Sequence, residues 1–428
     1  MTPPAAPGAG RARVVPVVLL TGVVAALVAL RSNRRDVVPP RAPVIADVVP
    51  RGDPVAPATM RGTLPETNLA PDSPAGMLHG DPSRRHRARG RGPAFPNVAW
   101  TYVADGPLAT QVVVSKDAST LYLGTLSGKL VALDVSGTPR WTVDLGDRVY
   151  SAPYVHPDGT LYVGSDAKRL FAVSTKGAVL WKLETGSDVD TSAAPTPEGT
   201  IVFASGRDLF AVRRTGDVAW RARVRGKIFT SAVVREDGVV VVGAQDHRVH
   251  AFSKSGTNLW STDLGADVDG APVLLGGGAV AVGTDASEVV RLQADGAIAW
   301  RTNVGGFVRG PLSCARNGDV LAGVYGPSPR MVRIEPSRGA KVGEFLVPGT
   351  GAKEFGVHGG ALEDDDGTLY FGAQDDLVRA VAIDGTLRWT FPTRGDVDAP
   401  LTLLDDGTLL VPSEDGTLTA LRTPRANP

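Results

Sequence analysis

Seven tryptophans, at positions 100, 141, 181, 220, 260, 300 and 389, divide the sequence at nearly constant intervals. The first five intervals are 41, 40, 39, 40 and 40 residues, and the last is 89, with Phe345 near its middle. A period of about 40 residues marks an array of small units, none of which can bury its apolar face alone. Where each unit consists only of short strands, the array closes into a β-propeller. A length of 428 residues would by itself suggest two or three domains, but a propeller is one closed body whatever its length. Counting Phe345, eight aromatic positions predict eight blades.

One unit reads Val149-Tyr150-Ser151-Ala152-Pro153, then Asp158-Gly159-Thr160-Leu161-Tyr162-Val163-Gly164, then Leu170-Phe171-Ala172-Val173, Lys176-Gly177 and Trp181. Alternating apolar runs separated by Asp-Gly, Lys-Gly or Ser-Gly turns read as four antiparallel strands: inner, second, third and outer. The second strand opens at Thr120, Thr160, Thr200, Val239, Ala279, Asp319, Thr368 and Thr408, so only the sixth unit is irregular. The last unit, Pro400 to Thr423, stops before its aromatic residue, while Trp100 lies in a strand with no unit ahead of it. Asn97 to Val103 is therefore expected to be the outer strand of the C-terminal blade, which closes the ring and leaves no free edge. The expected fold is all-β, an eight-bladed propeller of four-stranded antiparallel blades over residues 97–428.

Ahead of the repeats the composition changes. Residues 1–96 contain 13 Arg and 6 acids, a net +7, and 16 of the 33 prolines; the repeats carry −7. After a short segment, 1–13, residues 14–30 (Val14 to Leu30) are apolar, at the short limit for a membrane span and slightly long for a signal-peptide core. Arg31, Arg34 and Arg35 follow at once, which favours an uncleaved transmembrane signal-anchor over a removed signal. The basic residues on its two sides are too evenly balanced to orient it, and no cysteine near position 30 offers a lipid attachment point. Residues 31–96 read as a Pro/Arg-rich, mostly disordered linker. Its basic cluster, Arg84, Arg85, His86, Arg87, Arg89 and Arg91, reads as a solvated stretch, with contact to anionic lipid or glycan as the alternative. The acidic propeller argues against nucleic acid as a partner. Cys314, the one cysteine, excludes an internal disulfide and reads as a small buried hydrophobe.

In five units an Ala stands nine residues before the Trp and a Gly four before it, as in Ala132, Gly137 and Trp141 or Ala251, Gly256 and Trp260. The Gly suits a tight turn at positive φ, and the Ala leaves room for a ring. Trp100, Trp141, Trp181, Trp220, Trp260, Trp300, Phe345 and Trp389 are thus expected to dock blade on blade, each fully buried Trp being worth at most about 4–6 kcal/mol. The pattern resembles the tryptophan-docking repeat of the pyrroloquinoline-quinone-like propeller family, over residues 97–428. Met77-Leu78-His79-Gly80-Asp81 through Gly92-Pro93 also resembles the lead-in of such bacterial propellers, which implies an ordered segment from residue 77. The family includes quinoprotein dehydrogenases and a propeller lipoprotein of outer-membrane barrel assembly. For a dehydrogenase the resemblance implies a quinone beneath a vicinal disulfide, a calcium ion and an aspartate base. One cysteine cannot make that disulfide.

Other catalytic patterns are absent. Six histidines are scattered without metal-ligand spacing, Glu363-Asp364-Asp365-Asp366 and Asp405-Asp406 read as turns, and neither a phosphate-cradling loop nor a nucleophile elbow occurs. No catalytic residue, metal or cofactor is assigned. The repeat itself gives the site argument. Aligning the starts of the inner strands brings Thr110, Tyr150, Asp190, Phe229, Asp269, Arg309, His358 and Asp398 to one ring. Leu108, Arg148, Asp188, Lys227, Asp267, Phe307, Gly356 and Asp396 stand two residues earlier. Tyr150, Asp190, Phe229, Asp269, Arg309, His358 and Asp398 are the expected ligand-binding residues of a channel mouth suited to polar ligands, peptides or glycans; the plainer reading is a solvated rim. The expected function is a non-catalytic, monomeric, membrane-tethered scaffold outside the cytoplasm, with envelope proteins or glycans as partners. The alternatives are a quinone-dependent dehydrogenase and a ligand sensor using the mouth.

Overall fold

The chain divides into two units, Met1–Gly62 and Thr63–Pro428. The computed structural model describes residues 76–352 and 355–424, all within the second unit. The segment 14–30 and the linker as far as residue 75 lie outside the described residues.

Eight four-stranded antiparallel sheets make up the described fold. Blade 1 is Val113–Val114, Thr120–Gly124, Lys129–Asp134 and Pro139–Asp144, and the next six blades repeat that order. Inner strands have two residues each because the chain turns onto the channel wall there, whereas the outer strands of blades 1 to 7 have six. The eighth blade is composite: Thr402–Leu403, Leu409–Pro412 and Thr417–Arg422 come from the C-terminus, and Asn97–Val103 pairs antiparallel with Thr417–Arg422. The ring is sealed on its inside too, where Thr402 Oγ1 donates to Val112 O at 2.6 Å and Gln111 Nε2 to Leu401 O at 3.3 Å. The only helical element among the described residues is a 3-10 turn, Gly276–Gly278.

Second and third strands are buried almost throughout, while outer strands alternate exposed and half-buried positions. The core accordingly lies between the blades. Every indole Nε1–H except that of Trp389 reaches the next blade: Trp100 bonds Val135 O at 3.1 Å, Trp141 bonds Thr175 O at 2.9 Å and Trp220 bonds Lys254 O at 2.9 Å. Those carbonyls belong to the turn that reaches its glycine two residues later. Gly137 and Gly177 hold φ of +85° and +79°, and any Cβ on them would press into the Trp100 and Trp141 rings. The Ala of the motif lies directly across the pair from its own Trp, as in Ala132↔Trp141 and Ala251↔Trp260, with a bulge just after it. Most of these indoles are half-buried, so the full-burial energy is an overestimate for them. Phe345 differs from the seven tryptophans. Gly343 occupies the register slot opposite Arg333, and Phe345 sits two residues further on, edge-on to Phe371 of blade 7 at 6.0 Å. At the closing blade there is no turn to receive Trp389, and Pro93 O takes its bond at 2.8 Å.

Pro93 ends a lead-in that the solvated reading of the basic cluster did not anticipate. From residue 76 the chain crosses the ring at the ends of the inner strands. The carbonyls of Gly76, Pro82, Ser83, Arg85 and His86 accept from the backbone N–H of Val155, Val234, Leu274, Cys314 and Glu363, at 2.7–3.3 Å. Arg84, completely buried, donates to the carbonyls of Leu78, Ser192 and Ala232. His79 N bonds Gln111 Oε1 of blade 1, and His86 Nε2 meets Leu401 O of blade 8. The segment therefore bonds every blade and plugs one end of the channel. Arg84 and His86 went under because an irregular segment without its own secondary structure must satisfy the free inner-strand donors, and a guanidinium fork can satisfy several carbonyls at once. Arg87 also turns inward, to Cys314 O and Ala315 O, while Arg91 pairs with Asp366 near the surface. The acidic turn at 364–366 is the lead-in's docking point, with Gly90 N on Asp365 and Gly92 N on Asp364.

Candidate functional site: the open channel mouth

Inner strands run from the open mouth towards the plug, so residues just before them line the mouth. Val149, Val189, Ile228, Val268, Val308, Val357 and Val397 are buried between blades, and their sequence neighbours Tyr150, Asp190, Phe229, Asp269, Arg309 and His358 are half-buried. Asp398 is buried. This alternation is strand geometry: one face of the segment packs on a blade and the next residue turns to the channel. Thr110 does not join this ring. It is buried and exchanges hydrogen bonds with Gly124, as Ser151 does with Gly164 and Thr191 with Ala204. The first blade is one residue out of the sequence alignment, because Leu108 is the counterpart of Val149.

The structure adds a tier that the repeat alignment missed. In six blades the residue one or two positions after the second strand turns into the mouth, its N–H bonded to the carbonyl of the earlier ring: Asp166 to Arg148, Gln245 to Lys227, Asp285 to Asp267, Tyr325 to Phe307, Gln374 to Gly356 and Glu414 to Asp396. The same near-40-residue spacing could have exposed these positions, but variable polar residues after an apolar strand read as ordinary turn.

The tiers interlock by charge around most of the ring. Arg148 Nε lies 3.0 Å from Asp166 Oδ2, Lys227 Nζ 3.6 Å from Asp190 Oδ2, and His247 Nε2 3.3 Å from Asp267 Oδ1. Arg309 holds Asp285 with two bonds of 3.0 Å. Three of these cations also cover aromatic faces: Arg148 on Tyr150 at 5.8 Å, Lys227 on Phe229 at 4.2 Å and Arg309 on Phe307 at 4.7 Å. Carboxylate oxygens of Asp267, Asp269 and Asp285 come within 4.8 Å of one another, a spacing compatible with a divalent cation. Arg309, His247 and Gln245 already contact that group.

Burial raises the carboxyls that crowd the mouth. Asp166 is pushed up to about 8 by burial and by Asp190 beside it, and Asp396 and Glu414 to about 7 by burial and neighbouring acids. Burial likewise raises Tyr150, to about 12. These shifts fit a partly dehydrated concavity lined by like charges. Elsewhere, a shallow groove lies along the closing seam between Asn97–Ala99 and Arg422–Pro424. Cys314 is buried, with Arg87 Nη2 3.3 Å from its sulfur and its pKa raised by burial. No helix among the described residues is long and apolar enough to cross a membrane.

Among solved structures, the chain is similar to BamB from Moraxella catarrhalis, with a TM-score of 0.64, 16% identity and coverage of 77% of this chain and 100% of that one. It is also similar to the quinohemoprotein alcohol dehydrogenase from Comamonas testosteroni, with a TM-score of 0.70, 13% identity and coverage of 84% and 83%. A europium-containing methanol dehydrogenase gives a TM-score of 0.67 at 11% identity, covering 78% and 88%. At these identities the likeness is one of fold. A comparison with curated proteins finds no match. The family model described as outer membrane protein assembly factor BamB matches residues 97–245 and 245–322, more than half of the sequence. The chain belongs to the BamB family of pyrroloquinoline-quinone-like β-propellers.

Proposed function

We propose that this protein is a non-catalytic binding scaffold of the cell envelope, tethered through residues 14–30, which engages polypeptide partners through its channel mouth. The observation that carries this reading is the one-ended channel. The lead-in fills one end with bonds to every blade, so recognition is left to the opposite end, where charged and aromatic side chains stand half-exposed. Fixed ion pairs and aromatic shelves on a rigid ring suit protein recognition, in which aromatic and arginine anchors dominate. The name of the matched family, an outer membrane protein assembly factor, supports the same class of work.

Affinity capture from envelope extracts with the full chain tests this reading. Specific polypeptides should be retained by the native protein and lost when Asp190, Asp269 and Asp398 are replaced together by Asn. Retention of nothing above background, or capture indifferent to the mouth, would count against it. Against the dehydrogenase reading stands the single cysteine, which cannot form the vicinal disulfide that the resemblance implies for a dehydrogenase. Saturable binding of pyrroloquinoline quinone with calcium-dependent dye reduction would reverse that judgement.

A further inference from the structure

In one sector of the mouth the acids stand outside the ion-pair network, with His358 Nδ1 3.4 Å from the backbone carbonyl of Asp398. Asp396 and Asp398 of the Asp-Val-Asp triplet face Glu414 from the neighbouring tier, and Glu414 N bonds Asp396 O at 2.9 Å. Around the rest of the ring Asp166, Asp190, Asp267 and Asp285 each have an Arg, Lys or His within 4.0 Å. None of the ion pairs among the described residues involves Asp396, Asp398 or Glu414. Asp398 is only 8% exposed; Gln374 Nε2 holds its Oδ2 at 2.9 Å, and its Oδ1 is buried with no hydrogen-bond partner. A second polar group points the same way. Tyr325 is 4% exposed, its hydroxyl makes no hydrogen bond among the described residues, and it lies in the field of Asp398, Asp396 and Glu414. Its ring stands edge-on to His358 at 5.8 Å. Buried acceptors are ordinarily satisfied, so a buried carboxylate oxygen, a free phenol and two further carboxyls together describe a vacant donor position.

We infer that the sector formed by Asp396, Asp398, Glu414 and Tyr325 is a receptor for one cationic nitrogen group, the ammonium or guanidinium of a partner polypeptide's lysine or arginine side chain. The inference rests on the scaffold reading and gives its partner a chemistry. An entering ammonium donates to Asp398 Oδ1, to a carboxylate oxygen of Asp396 or Glu414, and to the hydroxyl oxygen of Tyr325. A divalent cation suits the sector less well: these carboxylates do not come together at ligating distance, as Asp267, Asp269 and Asp285 do. Binding is proton-linked. Asp396 and Glu414 hold protons up to about pH 7 in the empty mouth and must release them for a cation to be favoured. The groups facing the sector are His358, Arg309, Tyr325, Asp375, Asp376 and, paired to Asp375, Arg379.

Calorimetric titration of the full chain with acetyl-Gly-Lys-Gly-amide tests the inference, with acetyl-Gly-Gln-Gly-amide as the neutral probe and CaCl2 as competitor. The lysine peptide should bind saturably, at least ten-fold more tightly than the glutamine peptide, and tighten at least ten-fold between pH 6 and pH 8. Asp398→Asn with Glu414→Gln should abolish the preference without lowering the melting temperature, because it removes like charges. If that variant fails to fold, Tyr325→Phe should still weaken the lysine peptide several-fold. Equal binding of the two peptides, no saturable binding, indifference to the substitutions, or displacement by sub-millimolar calcium would overturn the inference. If the peptide fails while capture remains dependent on the mouth, the scaffold stands and this sector is removed. If the peptide binds and capture fails, the receptor stands and the scaffold falls.

Discussion

Glycine at the end of a second strand sets how closely two blades can approach. A Cβ on Gly283 would overlap Val308 of the next blade, and the same holds for Gly243 with Val268 and Gly372 with Val397. Blade 3 shows the cost of a side chain there: Ala204 fills the slot, and Ile228 donates to Gly206 O, one residue beyond the usual acceptor. Gly283→Ala should therefore destabilise the ring by about 1–3 kcal/mol, measured by urea unfolding. Trp220→Phe keeps most of the packing but forfeits the bond to Lys254 O, and should cost about 0.5–1.5 kcal/mol in the same assay. Glu414→Gln tests the crowded acids. The folded state holds Glu414 at about 7, above an ordinary value of about 4.3, so the native chain binds more protons than the unfolded one. Its contribution is fully present at low pH and is lost as pH rises from about 4 to 7. The variant should melt higher than the native protein at pH 8 and nearly level with it at pH 4; the reverse order would mean Glu414 has a cationic partner. Tryptophan was legible from sequence because its spacing announces its role. Phe345 was legible only in part: its place in the 89-residue gap suggested a tryptophan substitute, and only the register shows that Gly343 holds that slot.

At the level of elements, the strands follow from alternation and turn chemistry, but the lead-in could not be read that way. It has no period and no strand of its own, and its arginines look like those of any solvated linker. What orders it is the set of free inner-strand N–H groups on the ring, a property of the assembled blades. Arg84→Ala would leave the Leu78, Ser192 and Ala232 carbonyls without their donor and should cost about 3–5 kcal/mol, with Lys a poor substitute for the planar fork. His79 and His86, stacked at 4.0 Å, are both held neutral by burial, with His86 lowered to about 4. A depressed histidine gives stability that is complete above about pH 6.5 and is lost as pH falls towards 4. Hydrogen exchange at residues 76–93 should accelerate below pH 5 before exchange in the blades does; simultaneous loss would show that the plug and ring open together.

For the whole molecule, the repeat turns scattered sequence into position. Tyr150, Asp190, Phe229, Asp269, Arg309, His358 and Asp398 are up to 248 residues apart in sequence, and all of them reach one mouth. Alignment found that ring but not its electrostatics, because pairing depends on the tier of Asp166, Asp285, Tyr325 and Glu414 that variable turn residues concealed. The same ring has two unlike ends, a plugged one and an open one, and recognition is assigned to the open end. Site-specific photo-crosslinking in intact cells tests that assignment most directly, with the photoreactive residue placed at Phe229 in the mouth or at Glu198 in a turn at the plugged end. Discrete crosslinks to polypeptides are expected from position 229 and none from 198. Crosslinks from 198 alone, or from neither position, would contradict the assignment.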